Sequence, residues 1–135
     1  MSNQNNRLKS PSIDQWLKEA KAESDALEEG MFLVHNGVVR QTPRKQVREG
    51  IDTGEAVKGM EFDYDAAKVE QAVSETYKME GVFYVKTWLN KGQLEVGDDI
   101  MYVLIGGDIR PHVIDALQFL VGKIKNECVK EIEQI

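Results

Sequence analysis

Apolar and polar positions change their spacing several times along this chain, and each change marks an element. Ile13, Trp16, Leu17, Ala20, Ser24 and Leu27 recur at helical intervals behind Ser12 and Gln15, which have the spacing of a capping box. The pattern predicts a helix over 13–28, closed by Gly30. Met31 to Val39 is β-branched and aromatic without a helical stripe, and it reads as a strand. From Arg40 to Gly54 apolar content falls away around a proline and two late glycines, which predicts a long surface loop. Val57 to Asp63 reads as a second strand, and Asp65 is placed to cap a helix whose apolar face is Ala66, Val69, Val73 and Tyr77, ended by Gly81. Val82 to Leu89 is a further strand. Turns at Asn90-Lys91-Gly92 and Gly97-Asp98 lead to Ile100–Ile105, apolar on both faces and therefore expected at the centre of a sheet. Gly106-Gly107-Asp108 then turns into a final helix with Pro111 in its first turn and a buried stripe of Val113, Leu117, Leu120, Ile124 and Cys128.

This order of elements implies an α+β domain, an antiparallel or mixed sheet with helices packed on it. We expect a flexible tail over residues 1–11 and one domain over 12–135. At 135 residues, with 41% hydrophobic and 30% charged positions, the chain is long enough to bury a core without disulfides or metals. No stretch approaches the roughly 20 apolar residues of a membrane span, and the polar start MSNQNNRLKSPS lacks the apolar segment of a signal peptide, so the expected location is the cytoplasm. A formal charge of −6 argues against broad attraction to nucleic acid or to an anionic membrane. Cys128 has no partner for a disulfide, and no Cys/His cluster suggests a metal; no cofactor is expected.

Within this acidic background, four of the seventeen basic residues, Arg40, Arg44, Lys45 and Arg48, fall within nine positions. Arginine suits anions because its planar fork donates parallel hydrogen bonds, so the cluster is a candidate phosphate grip; the alternative is an ordinary solvated loop. Arg110 stands at a helix start, where free N–H groups favour an anion, or is simply an exposed first-turn residue. Lys123, Lys125 and Lys130 alternate with Glu127, Glu131 and Glu133 in what reads as the last helix, where most lysines only solvate a polar face. His35 lies in an apolar strand, the setting of a hydrogen-bonded core or rim histidine. Cys128, on the buried stripe, reads as core.

Taken together, these segments resemble the large subunit of molybdopterin synthase, the MoaE family. The resemblance runs through most of residues 31–128: Gly37-Val38-Val39-Arg40 ending the first strand, Met60-Glu61-Phe62-Asp63-Tyr64, the hairpin Gly92-Gln93-Leu94-Glu95-Val96-Gly97-Asp98, the turn Ile109-Arg110, and Ala116-Leu117-Gln118-Phe119 leading to Lys125. It implies an α/β-hammerhead type of fold and a homodimer. It also implies a small ubiquitin-like sulfur carrier whose C-terminal Gly-Gly thiocarboxylate delivers sulfur to cyclic pyranopterin monophosphate, forming the dithiolene of molybdopterin. By position, Arg40 and Arg110 match the family's anion-binding arginines, with Arg44, Lys45, Arg48 and His35 as further candidates. Lys125 matches the first of two active-site lysines, and Lys130 is the nearest substitute for the second, which would fall at Ile132. The family usually has histidine where Ile109 stands and a histidine-arginine pair where Leu89-Asn90 stands. Two functions are therefore open: a sulfur-transferring synthase subunit, and a non-catalytic relative that binds a pterin or other phosphate ligand in a regulatory or carrier role.

Overall fold

The computed structural model describes residues 8–23, 25–50 and 54–135. In chain order the elements are α1 (Ile13–Lys21), β1 (Met31–Val38), α2 (Arg44–Glu49), β2 (Gly59–Tyr64), α3 (Ala66–Tyr77), β3 (Val82–Leu89), β4 (Gly92–Glu95), β5 (Asp99–Gly107), α4 (Arg110–Lys123) and β6 (Val129–Gln134). A short 3₁₀ turn (Ala26–Glu28) precedes β1, and a π-helical turn (Ile124–Cys128) joins α4 to β6. The α+β class expected from the sequence is observed, with every strand pair antiparallel. The strands form two three-stranded sheets, β1-β5-β3 and β4-β2-β6.

β5 is the middle strand of the first sheet, as its two apolar faces predict. On one face α3 packs against β3, and α4 packs against β5 and β1; Val103, Ile105, Val113, Ala116, Leu120 and Ile124 are buried between them. The other face is covered by α1, whose Trp16 and Ala20 bury against Leu104, Tyr102 and Trp88. The second sheet extends the main core through Met60, Phe62 and Leu94. Asn90, between β3 and β4, is bound to the start of β5: its N–H donates to the Ile100 carbonyl at 2.8 Å, its amide nitrogen donates to the Asp99 carbonyl at 2.8 Å, and its amide oxygen accepts from Leu8 and Lys91.

Several boundaries differ from the sequence reading for local reasons. α1 stops at Lys21, and Leu27, expected on its apolar stripe, is 99% exposed. The chain must turn there to deliver Gly30 to the sheet, where its N–H donates to the Gly107 carbonyl at 2.7 Å; an added Cβ at Gly30 would collide with the Asp108 carbonyl. Ser24, also assigned to that helix, lies outside the described residues. The expected loop over 40–54 contains α2, entered at Pro43 and closed by Gly50, whose φ of 69° suits glycine; residues 51–53 are outside the described set. The last helix also ends sooner than expected. Lys130 and Ile132 lie on β6, whose residues pair with β2 from Val129↔Tyr64 to Gln134↔Gly59 and whose faces alternate with period two. Tyr77, expected on the apolar face of α3, is 44% exposed, and its hydroxyl bonds to the backbone of Val85.

A candidate anion pocket between two sheets

The site is assembled from the ends of four elements. A register shift at Gly37/Val38 bends the end of β1, and Arg40 follows two residues later. α2 contributes Arg44 at its first position. The π turn after α4 projects Lys125, and β6 contributes Glu131 and Glu133 from its inward face, since their cross-strand partners on β2 are the buried Phe62 and Met60. Arg40, Arg44, Lys125, Glu131 and Glu133 line one cleft together with Val38, Met60 and Ile100.

Three of the predicted cations therefore meet, although Arg40 and Lys125 lie far apart in the sequence. Two of them, Arg44 and Lys125, are ion-paired with a carboxylate of the same chain. Glu131, with a side chain only 6% exposed, places one oxygen 3.1 Å from Arg44 Nη2 and the other 3.4 Å from Lys125 Nζ. Glu133 accepts the Arg44 backbone N–H with both oxygens, at 3.0 and 3.2 Å. Arg40 lines the cleft while its Nε donates to the Thr42 carbonyl at 3.0 Å. Half-buried His35 belongs to the same neighbourhood: burial lowers its pKa from the ordinary imidazole value, and the Lys125 ammonium pushes it in the same direction. A neutral imidazole beside a cation is what that environment favours.

The remaining candidates are placed elsewhere or outside the cleft. Lys45 and Arg48 are exposed on α2 and do not line it. Lys130 faces the opposite side of β6 from Glu131, across from Asp63, so it does not share the cleft with Lys125. Arg110 is exposed at the start of α4, at the end of the first sheet where Met31 pairs with Gly107; Arg40 follows the other end, where Val38 pairs with Asp99. Eight strand residues, at about 3.4 Å each, separate the two arginines by well over 20 Å within one chain. The glycine pair before Arg110 serves close packing: a Cβ on Gly106 would strike Glu29 and Phe32, and one on Gly107 would strike the Gly81 carbonyl. Cys128 is buried, its thiol directed at the Lys123 carbonyl 3.7 Å away and its pKa raised by burial.

Sequence reasoning missed Glu131 and Glu133. They become visible as pocket residues only once Val129–Gln134 is read as a strand, because the i, i+2 spacing that puts both on the inner face of β6 separates them on a helix.

The sequence profile of the MoaE protein family matches residues 9–127. The chain belongs to the MoaE family. Membership places it in molybdenum cofactor biosynthesis, in the general role of a molybdopterin synthase. Among solved structures, molybdopterin synthase from Staphylococcus aureus is similar with a TM-score of 0.71 and 17% identity, covering 93% of this chain and 86% of that one. The molybdopterin biosynthesis MoaE protein from Burkholderia ambifaria MC40-6 aligns with a TM-score of 0.69 at 16% identity, covering 93% of this chain and 84% of that one. A complex of subunits 1 and 2 of molybdopterin-converting factor from Helicobacter pylori 26695 matches at 0.63 and 18%, covering 92% of this chain and 79% of that one. No curated protein matches. At these identities the structural likenesses establish a shared fold. No helix among the described residues is long and apolar enough to cross a membrane.

Proposed function

We propose that this MoaE-family chain is the large subunit of a cytoplasmic molybdopterin synthase, moving sulfur from the C-terminal Gly-Gly thiocarboxylate of a small carrier protein onto cyclic pyranopterin monophosphate. The observation that carries this reading is the convergence of Arg40, Arg44 and Lys125 on one cleft of an otherwise acidic protein. A pterin phosphate and a thiocarboxylate repel one another, and fixed cations in a partly desolvated cleft offset that repulsion. The similar Helicobacter pylori structure is a protein–protein complex of two converting-factor subunits, which supports a small protein partner for this chain.

In this reading Arg40, Arg44 and Lys125 hold the phosphate, and Lys125 also transfers a proton during sulfur addition. Lys130, turned to the far side of β6, takes no part. Arg110 joins the pocket only from a second copy of the chain, because its own sheet holds it at the end away from Arg40; a symmetric homodimer is accordingly part of the proposal. Purified protein given a thiocarboxylated carrier should convert cyclic pyranopterin monophosphate to a dithiolene product. Lys125→Ala should lower the single-turnover rate about 10²-fold or more, the usual worth of a general acid or base, while Lys130→Ala leaves it unchanged. A Lys125→Ala protein turning over at full rate would reject the catalytic role.

One observation favours the second reading, a non-catalytic phosphate-binding relative: Glu131 already ion-pairs Lys125, the group that the catalytic reading needs for proton transfer. Firm pterin phosphate binding with no turnover by wild type would decide for it.

A further inference from the structure

Glu131 and Glu133 stand where a strand facing the core would ordinarily carry apolar side chains. On the neighbouring strand the same face presents Met60 and Phe62, and beyond them Leu94 opposes Met60. A carboxylate in such a position carries a desolvation cost that only close cations offset. Glu131 meets it by dividing its two oxygens between Arg44 and Lys125. That bridging of two cations is the geometry in which a phosphate or carboxylate ligand would be held.

The same strand fixes α2. Its first residue is held twice by β6, through the Arg44 guanidinium on Glu131 and through the Arg44 N–H on Glu133. α2 has six residues, none of them buried, and a helix so short does not persist by its own hydrogen bonds. The cleft that remains between Arg40, Arg44, Lys125 and the two glutamates has a volume of about 40 Å³. A cleft of that size holds water, and the place between Arg44 and Lys125 that a phosphate would take is filled by the Glu131 carboxylate.

We propose that Glu131 is the pocket's own anion, a latch that occupies the ligand's place between Arg44 and Lys125, so that anion binding and release of α2 from β6 are one equilibrium. The proposal rests on the anion pocket described under the proposed function. An incoming phosphate takes over Arg44 and Lys125, Glu131 loses both partners, and of these two ties to β6 α2 keeps the Glu133 contact to its backbone. The latch also gives the buried glutamate a reason to exist that packing alone does not, since an apolar residue opposite Phe62 would fill the same space without a charge to neutralise.

The test uses the full chain and inorganic phosphate as the probe. Glu131→Gln keeps the shape and removes the charge. Calorimetry should show phosphate binding at least tenfold tighter than in wild type. Without ligand, the Val47 and Gly50 amides, bonded within α2 to the Pro43 and Gln46 carbonyls at 3.2 and 2.8 Å, should exchange with solvent faster in the variant, while β5 amides exchange as before. In wild type, saturating phosphate should produce the same acceleration in α2. Glu131→Asp keeps the charge but shortens its reach, should fall between the two proteins in both readouts, and decides the matter if the glutamine variant does not fold. Phosphate binding that weakens in Arg40→Ala and Lys125→Ala but is no tighter in the Glu131 variants overturns the latch and leaves the pocket standing. Binding indifferent to Arg40 and Lys125, or no phosphate binding by any of these proteins, overturns the pocket and the latch together.

Discussion

At the scale of single residues, the two histidines report on opposite electrostatic settings. Burial and Lys125 lower the pKa of His35, so the folded state favours the neutral ring. Its contribution to stability is intact above the ordinary value near 6.5 and is lost as pH falls through the lowered folded value. Removing the cation in Lys125→Gln should raise the His35 pKa toward normal, with burial holding it below; proton NMR titration of the imidazole Cε1–H reads this directly. An unmoved titration would mean that Lys125 does not sit beside His35 in solution. His112 behaves in the other sense. Its Nδ1 lies 2.8 Å from Asp108 Oδ1 and its Nε2 lies 3.6 Å from Glu80, and the Asp108 hydrogen bond leads the raising of its pKa. The stability it supplies is fully present below about pH 6.5, while Asp108 stays ionised, and disappears as pH rises through the elevated folded value. The melting temperature of wild type should exceed that of His112→Asn by more at about pH 5.5 than at about pH 8.5. A pH-independent difference would remove the ion pair from the account.

Individual elements show where the sequence is readable and where it is not. Capping and periodicity located the starts of α1 and α3, where Ser12 accepts from the Gln15 N–H and Asp65 from those of Ala67 and Lys68. The all-apolar run of β5 correctly predicted a central strand. What escaped were elements held by distant partners. α2 carries no apolar stripe and is fixed by Glu133, so only its bracketing Pro43 and Gly50 marked it locally. β6 was absorbed into the preceding helix because its inward positions are glutamates instead of apolar residues, and the cations that permit this lie on α2 and the π turn. The same masking hid half of the candidate site: its arginines and Lys125 were legible as cations, its carboxylates only through the fold. Tyr77 is a further case in which the partner decides. β3 is an edge strand, and Tyr77 closes part of that edge, accepting the Val85 N–H at 2.9 Å and donating to the Val85 carbonyl at 3.2 Å. Tyr77→Phe leaves both backbone groups without that partner and should cost about 1–3 kcal/mol in urea unfolding, with an unchanged m-value. A change below a few tenths of that would show that water replaces the hydroxyl fully.

For the whole molecule, the decisive fact is that one chain cannot bring its own Arg40 and Arg110 together. They follow opposite ends of the antiparallel β1–β5 pair, and the eight residues of β1 keep them apart. If both arginines serve one pocket, each pocket takes Arg40 from one copy and Arg110 from the other, and a two-fold dimer contains two such pockets. This makes a prediction that neither variant alone can test. Arg40→Ala and Arg110→Ala should each be nearly inactive with the carrier and pterin substrate. When the two variants are mixed, dissociated and allowed to reassociate at random, half of the dimers contain one of each chain. In such a dimer one pocket lacks both arginines and the other has both intact, so activity should return to about a quarter of the wild-type level. Recovery must require subunit exchange and should be absent when the two variants are combined without dissociation. Two inactive variants that exchange subunits and still recover nothing would show that the arginines serve separate sites. Full activity of Arg110→Ala alone would confine the pocket to the residues of a single chain, with Arg40, Arg44 and Lys125 as its cations among the described residues.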